Sequence, residues 1–197
     1  MDNSKNMQVM KINKSCFNIF PELESERLKY RQVTSEDVED IYKIYSDPEV
    51  AKYDWYKPIA TKDDAISIIN RYGREFQNKE ELTWGVARKY DNKIIGYCCL
   101  GSFSDDSRRS EIGYGFNRDE WNKGYATEAI KVLVKFGFDI MNFNRIEATV
   151  TLGNDASVKA LKKANFLQEG IVRERSIMKG KFEDDVILAI IRKDYNL

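Results

Sequence analysis

Residues 111–128 read EIGYGFNRDEWNKGYATE, and the fold is read outward from that run. Ile112, Tyr114 and Phe116 alternate with Glu111, Gly113 and Gly115, the period of two of a half-buried strand. At Asn117 the alternation stops. Asn117 to Lys123 is polar apart from Trp121, and Gly124 permits close backbone approach. Ala126, Ala129, Ile130, Leu133, Val134, Gly137 and Met141 then recur at helical spacing. The run predicts a strand, a glycine-bearing loop and a helix start. The first amides of a helix have no intrahelical partner, and with the positive end of the helix dipole they make an anion site suited to a pyrophosphate. On the loop alone, a dinucleotide site, a P-loop site and a tight connection without ligand all stay open.

Upstream, Arg27 to Gln32 reads as a first strand. Thr34-Ser35-Glu36-Asp37 starts a helix whose face carries Val38, Ile41, Tyr42 and Tyr45 and which Asp47-Pro48 ends. A second helix starts at Thr61, with Asp64 three residues on, and runs toward Phe76. Trp84 to Ala87, a turn at Asp91-Asn92, and Lys93 to Phe103 form a hairpin, followed by a polar loop to Arg109. Downstream, Arg145 to Thr151 alternates as a strand, and Gly153 to Ser157 opens a short helix. That helix ends near Asn165, a residue that tolerates the left-handed C-cap conformation. Leu167 to Ser176, a Lys179-Gly180-Lys181 turn and Phe182 to Ile191 make a closing hairpin. Residues 1–20 carry no strong period and are expected to form a poorly ordered tail. With no repeat or linker, the expectation is one domain over residues 24–197 behind an N-terminal extension, 1–23.

Composition narrows the chemistry. The chain has 197 residues, enough for one domain with a sizeable core. Its 32 Lys and Arg equal its 32 Asp and Glu, so no overall basic field argues for nucleic acid. No apolar stretch approaches the roughly 20 residues of a membrane helix, and the start lacks an apolar signal-peptide core, so cytoplasmic residence is the expectation. Cys98 and Cys99, adjacent in a strand, face opposite sides and leave Cys16 without a partner, so three free thiols are expected. The chain has no histidine. A Ser-His-Asp or Cys-His nucleophile and a His-containing zinc site are therefore excluded, and acid–base work falls to carboxylates, tyrosine, lysine, cysteine or water. Aminolysis of an activated thioester suits that inventory.

Trp121-Asn122-Lys123-Gly124-Tyr125-Ala126 resembles the Arg/Gln-x-x-Gly-x-Gly/Ala loop with which GNAT-fold N-acetyltransferases bind the pyrophosphate of acetyl-CoA. Tryptophan at the first position departs from that pattern. With Lys-Gly-Tyr-Ala-Thr-Glu-Ala following and Asn-Arg-Ile-Glu-Ala-Thr-Val at 144–150, it resembles the RimJ/RimL-like branch, which acetylates ribosomal-protein N termini. Glu26-Arg27-Leu28 and Asp47-Pro48-Glu49-Val50 are also similar to the family. The resemblance implies an α/β (α+β) GNAT fold: a mixed, mostly antiparallel twisted sheet of about seven strands, splayed in the middle and flanked by about four helices. It implies acetyl-CoA as cosubstrate, no metal, and an amine acceptor, with a ribosomal-protein N terminus leading. A small-molecule amine acetyltransferase and a non-catalytic acyl-CoA-binding module are the alternatives. A homodimer is compatible with the sequence.

The resemblance also assigns residues. Phe116, Asn117, Trp121, Asn122, Lys123, Gly124, Tyr125, Ala126 and Thr127 would bind the cofactor, together with Asn154 and Ser157, which are spaced to cap a helix as well. Glu111 is the candidate base, against its reading as an edge carboxylate on a solvated face. Ser157 or a water is the candidate proton donor, because the position further along its helix where many relatives have a tyrosine is Leu161. An amide near Phe116 would polarise the thioester carbonyl at a bulge that Gly113 and Gly115 permit. Tyr53, Trp55 and Tyr56 are candidates for an acceptor groove, with core packing as the other reading.

Overall fold

The first helices begin where side chains take up free amides. At Thr34 and Asp37, and again at Thr61 and Asp64, threonine and carboxylate bond reciprocally as capping boxes. From these starts run α1 (Val38–Tyr45) and α2 (Lys62–Gln77). The chain, described over residues 11–195 in a computed structural model, continues through α3 (Tyr125–Asp139), α4 (Asp155–Lys163) and a single turn, α5 (Arg192–Tyr195).

Eight strands make one sheet: β1 (Leu23–Glu24), β2 (Leu28–Arg31), β3 (Leu82–Arg88), β4 (Ile94–Ser104), β5 (Arg109–Phe116), β6 (Arg145–Thr151), β7 (Leu167–Met178) and β8 (Lys181–Ile191). Their order is β1-β2-β3-β4-β5-β6-β8-β7. All pairs are antiparallel except β5 with β6. The expected seven become eight because two residues, Leu23 and Glu24, pair with Tyr30 and Lys29.

The parallel pair is short. Only Arg109, Ser110 and Glu111 are matched, to Arg145, Ile146 and Glu147, and beyond them the strands diverge. The sheet thus opens in its middle. On one face α3 and α4 cover Trp84, Leu100, Ile112, Phe116, Ile146 and Ala148; on the other, α1 and α2 cover Val33, Ala87, Ile94 and Tyr97.

Two expectations need correction. The bulge anticipated at Gly113 and Gly115 is absent, since β5 stays in register with β4 from Glu111 to Phe116, and the irregularity falls between Gly101 and Ser104. The glycines instead make room: a Cβ at Gly115 would lie 2.6 Å from the Tyr97 ring, and one at Gly113 2.9 Å from Cys99 Sγ. Nor are residues 11–20 a loose tail. Ile12, Cys16 and Phe17 are buried in the core, and Asn13 bonds the Met141 and Ile140 carbonyls past the end of α3. Residues 1–10 of that expected tail lie outside the described residues. Phe17 packs on Phe76 at 5.5 Å and Phe103 at 5.9 Å between ring centroids. Phe17→Ala is therefore expected to destabilise the fold by about 3–5 kcal/mol in urea denaturation, whereas a tail residue would change nothing. The three cysteines are free, as expected.

Candidate active site

Unlike α2 and α4, which open on Thr61 and Asn154 side chains, α3 opens on Gly124 with no side-chain cap. Its first backbone bond closes from the Glu128 amide to the Gly124 carbonyl, 3.1 Å, leaving the amides of Tyr125, Ala126 and Thr127 for another acceptor. Asn122 and Gly124 both adopt left-handed backbone, φ 62° and 82°. Asparagine and glycine are the residues that do so at least cost.

The loop is braced by Arg27, a residue the sequence marks only as the start of a strand. Its Nε donates to Glu128 Oε2 at 2.7 Å and its Nη1 to the Lys123 carbonyl at 2.9 Å, while the guanidinium lies 4.5 Å above the Tyr125 ring. Burial alone would raise the Glu128 pKa, but the Arg27 amide, the Ser25 hydroxyl and the guanidinium together hold it below the usual carboxylate range. A fixed cation thus stands beside an anion-ready helix end.

The opening between β5 and β6 has chemistry on both faces. Along β5, Asn117 N bonds the Ile95 carbonyl of β4, while the Arg108 carbonyl accepts from Asn144 and Arg145 on the β6 side. Backbone groups alternate in direction along a strand, so those of Tyr114 and Phe116 point into the gap. The Phe116 carbonyl is taken by Trp121 Nε1 at 2.8 Å, which leaves its amide as a donor there.

Side chains alternate as well. Ile112, Tyr114 and Phe116 lie on the α3–α4 face, which puts Glu111 on the α1–α2 face. Thr149 of β6 donates to the Glu111 carboxylate and accepts from Arg175 Nη1 at 2.8 Å. Glu111 lies opposite Gly101 on β4, and the Glu81 carboxylate fills the space above that glycine: a Cβ there would be 2.6 Å from Glu81 Oε2. Thr83 Oγ1 orients Glu81 at 2.7 Å. Two carboxylates therefore stand side by side at the mouth of the gap.

Glu111, Glu81, Thr149, Phe116, Trp121 and the start of α3 line one cleft of about 1090 Å³. Tyr53, Trp55 and Tyr56 border it, with Trp55 65% exposed. Lys179, in the β7–β8 turn, holds this segment through the Ala51 and Lys52 carbonyls, and Thr151 through that of Tyr53. Asp54 and Arg71 also line the cleft. Burial raises the Asp54 pKa, against hydrogen bonds from the Trp55 amide and the Tyr97 hydroxyl. Arg71 lies over the Trp55 and Tyr72 rings, 5.5 and 5.6 Å from their centroids.

Of the residues singled out in the sequence, Glu111, Phe116, Trp121, Asn122, Gly124, Tyr125, Ala126, Thr127, Asn154 and Ser157 line this cleft. Asn117 and Lys123 do not. Asn117 caps the Arg118–Glu120 turn, and Lys123 Nζ pairs with Glu120 at 2.8 Å. Asn154 Oδ1 accepts the Ser157 amide at 3.2 Å, the capping role. Tyr114 Oη lies 2.7 Å from Ser157 Oγ, a contact no local pattern announces. Among the described residues no three His, Cys, Asp or Glu side chains gather as a metal site, and no helix is long and apolar enough to cross a membrane.

The family model described as an acetyltransferase (GNAT) domain matches residues 27–167, from the bracing arginine to the strand after α4. The chain belongs to the GNAT acetyltransferase family. This GNAT protein is 33% identical to the Uncharacterized N-acetyltransferase YoaA of Bacillus subtilis (strain 168) over 174 residues, 88% of this chain and 98% of the relative. A GNAT-family acetyltransferase structure from Bacillus anthracis superposes with TM-score 0.78 at 26% identity, over 88% of this chain and 99% of the other. Two more distant structures share the fold at TM-score 0.75 and 20% identity. One is a ribosomal-protein-S5-alanine acetyltransferase from Vibrio fischeri, covering 89% of this chain and 98% of its own. The other is a spermidine N-acetyltransferase from Vibrio cholerae in complex with CoA and spermine, covering 88% and 100%. The chain is a GNAT-type N-acetyltransferase, an enzyme whose acyl donor is acetyl-CoA.

Proposed function

We propose that the enzyme transfers the acetyl group of acetyl-CoA to the N-terminal α-amine of a protein, with ribosomal proteins as the leading acceptors. The carrying observation is the opening between β5 and β6, with uncapped α3 amides toward one face and Glu111 on the other. In this reading the pyrophosphate sits on the amides of Tyr125, Ala126 and Thr127, and the thioester carbonyl accepts from the Phe116 amide. Glu111, oriented by Thr149, removes the proton from the attacking amine. At pH 7, neutralising an α-amine costs about 1 kcal/mol and a lysine about 5 kcal/mol. A single oriented carboxylate is matched to the smaller task. The RimJ/RimL-like loop, Trp121 to Ala126, supports the ribosomal choice.

Glu81 and Asp54 favour a second reading, a small amine carrying a further positive charge, because they add carboxylates to the cleft beyond Glu111. Both readings meet one test, in which acetylated products are identified by mass spectrometry after incubation with acetyl-CoA and a panel of acceptors. Alanine- and serine-started peptides are expected to be acetylated at the α-amine. Products confined to diamines or polyamines would replace the first reading by the second.

A further inference from the structure

The hydroxyl of Ser157 has one proton, and its direction depends on Tyr114. Ser157 stands in the first turn of α4, its amide spent on Asn154 Oδ1. Tyr114 comes from β5 on the same face of the sheet and brings Oη within 2.7 Å of Ser157 Oγ and 3.3 Å of the Ser157 carbonyl. Both side chains line the cleft beside the gap, and Asp155–Lys163 carries no tyrosine of its own.

We infer that Tyr114 is a positioning residue for acyl transfer: it donates its hydrogen bond to Ser157 Oγ and so turns the serine proton toward the sulfur of the donor. Were the direction reversed, the phenol proton would be left the 3.3 Å contact to the carbonyl, longer than the roughly 2.7–2.8 Å usual between oxygens, and the serine would have nothing to offer a leaving group. A phenol is also a stronger donor than an alcohol. Burial pushes the Tyr114 hydroxyl up to about 12. It therefore keeps its proton near neutral pH and does not surrender it to the departing thiolate, the weaker base of the two. The pair works by hydrogen bonding rather than by proton relay. As nitrogen bonds to the carbonyl carbon and the C–S bond breaks, the electron pair stays on sulfur. The amine proton goes to Glu111, and the thiolate, bonded by Ser157 Oγ–H, is protonated by solvent.

This inference rests on the acetyl-transfer reading, which wild-type thiol release tests separately. With wild type as reference, kcat and acetyl-CoA affinity are measured for Tyr114→Phe, Ser157→Ala and the double variant, and folding is checked by thermal denaturation. Tyr114→Phe is expected to lower kcat about tenfold or more with affinity unchanged, and the double variant to be no slower than Ser157→Ala alone. Replacing Tyr114 by 3-fluorotyrosine, which keeps the hydroxyl and makes it a stronger donor, should alter kcat when Ser157 is present and leave it unaltered in Ser157→Ala. That comparison holds even if Tyr114→Phe fails to fold. A Tyr114→Phe kcat within about twofold of wild type, losses that multiply in the double variant, or a fluorotyrosine effect that persists without Ser157 would overturn the inference. Wild type that binds acetyl-CoA yet releases no thiol with any amine would instead strike the acetyl-transfer reading itself.

Discussion

Acetyl-CoA affinity, measured by calorimetry, is expected to fall at least about 100-fold when Gly124 is replaced by glutamate. Two costs add. Position 124 has φ 82°, which a residue with a side chain adopts at about 1–2 kcal/mol. A carboxylate about 5 Å from one phosphate charge, at an effective dielectric of about 20, costs a further 3 kcal/mol or so. Space is not the difficulty, because the nearest atom to a Cβ there is Arg27 Nη2 at 3.5 Å, ordinary contact. Gly124→Ala therefore separates the terms, losing only the backbone part, about 5- to 30-fold. Glutamate has one more consequence: it can recruit the Arg27 guanidinium and take from the loop the cation that braces it. Affinity retained in Gly124→Glu would place the pyrophosphate elsewhere.

Glu111→Gln is expected to lower kcat by about 100-fold while leaving acetyl-CoA affinity intact, the lower end of what general-base catalysis supplies. Glutamine keeps the size of the side chain and an acceptor for the Thr149 hydroxyl, so the change isolates the charge. The deficit should shrink as pH rises through about 8, where an α-amine loses its proton to solvent without help. An acceptor amine titrating near 10 would show no such recovery in that range. Unchanged turnover would return Glu111 to its other reading, a carboxylate on a strand face. Glu81, beside it and oriented by Thr83, would then be the next group to test.

Much of the fold was legible because its signals are local. Strand alternation at 111–116 and 145–151, the Thr61–Asp64 box and the glycine before α3 each lie within a few residues, and each appears where expected. What escaped depends on contacts across the chain. Ile12, Cys16 and Phe17 sit around a single 3-10 turn, too short to show a period, and Phe17 packs on Phe76 and Phe103 far along the sequence. Gly113 and Gly115 read as a bulge because glycine weakens a strand; their reason, the Cys99 and Tyr97 side chains opposite, needs the register of β4. Glu81 and Tyr114 reach the cleft, and Arg27 the loop before α3, from separate strands or strand ends, so only the assembled sheet puts them there.

Thiol release from acetyl-CoA, followed with and without an added alanine-started peptide, tests the central claim most directly. The account predicts release that depends on the peptide and matches the acetylated α-amine mole for mole. Tight acetyl-CoA binding without release for any peptide or small amine would contradict it, and would leave the cleft as an acyl-CoA-binding module.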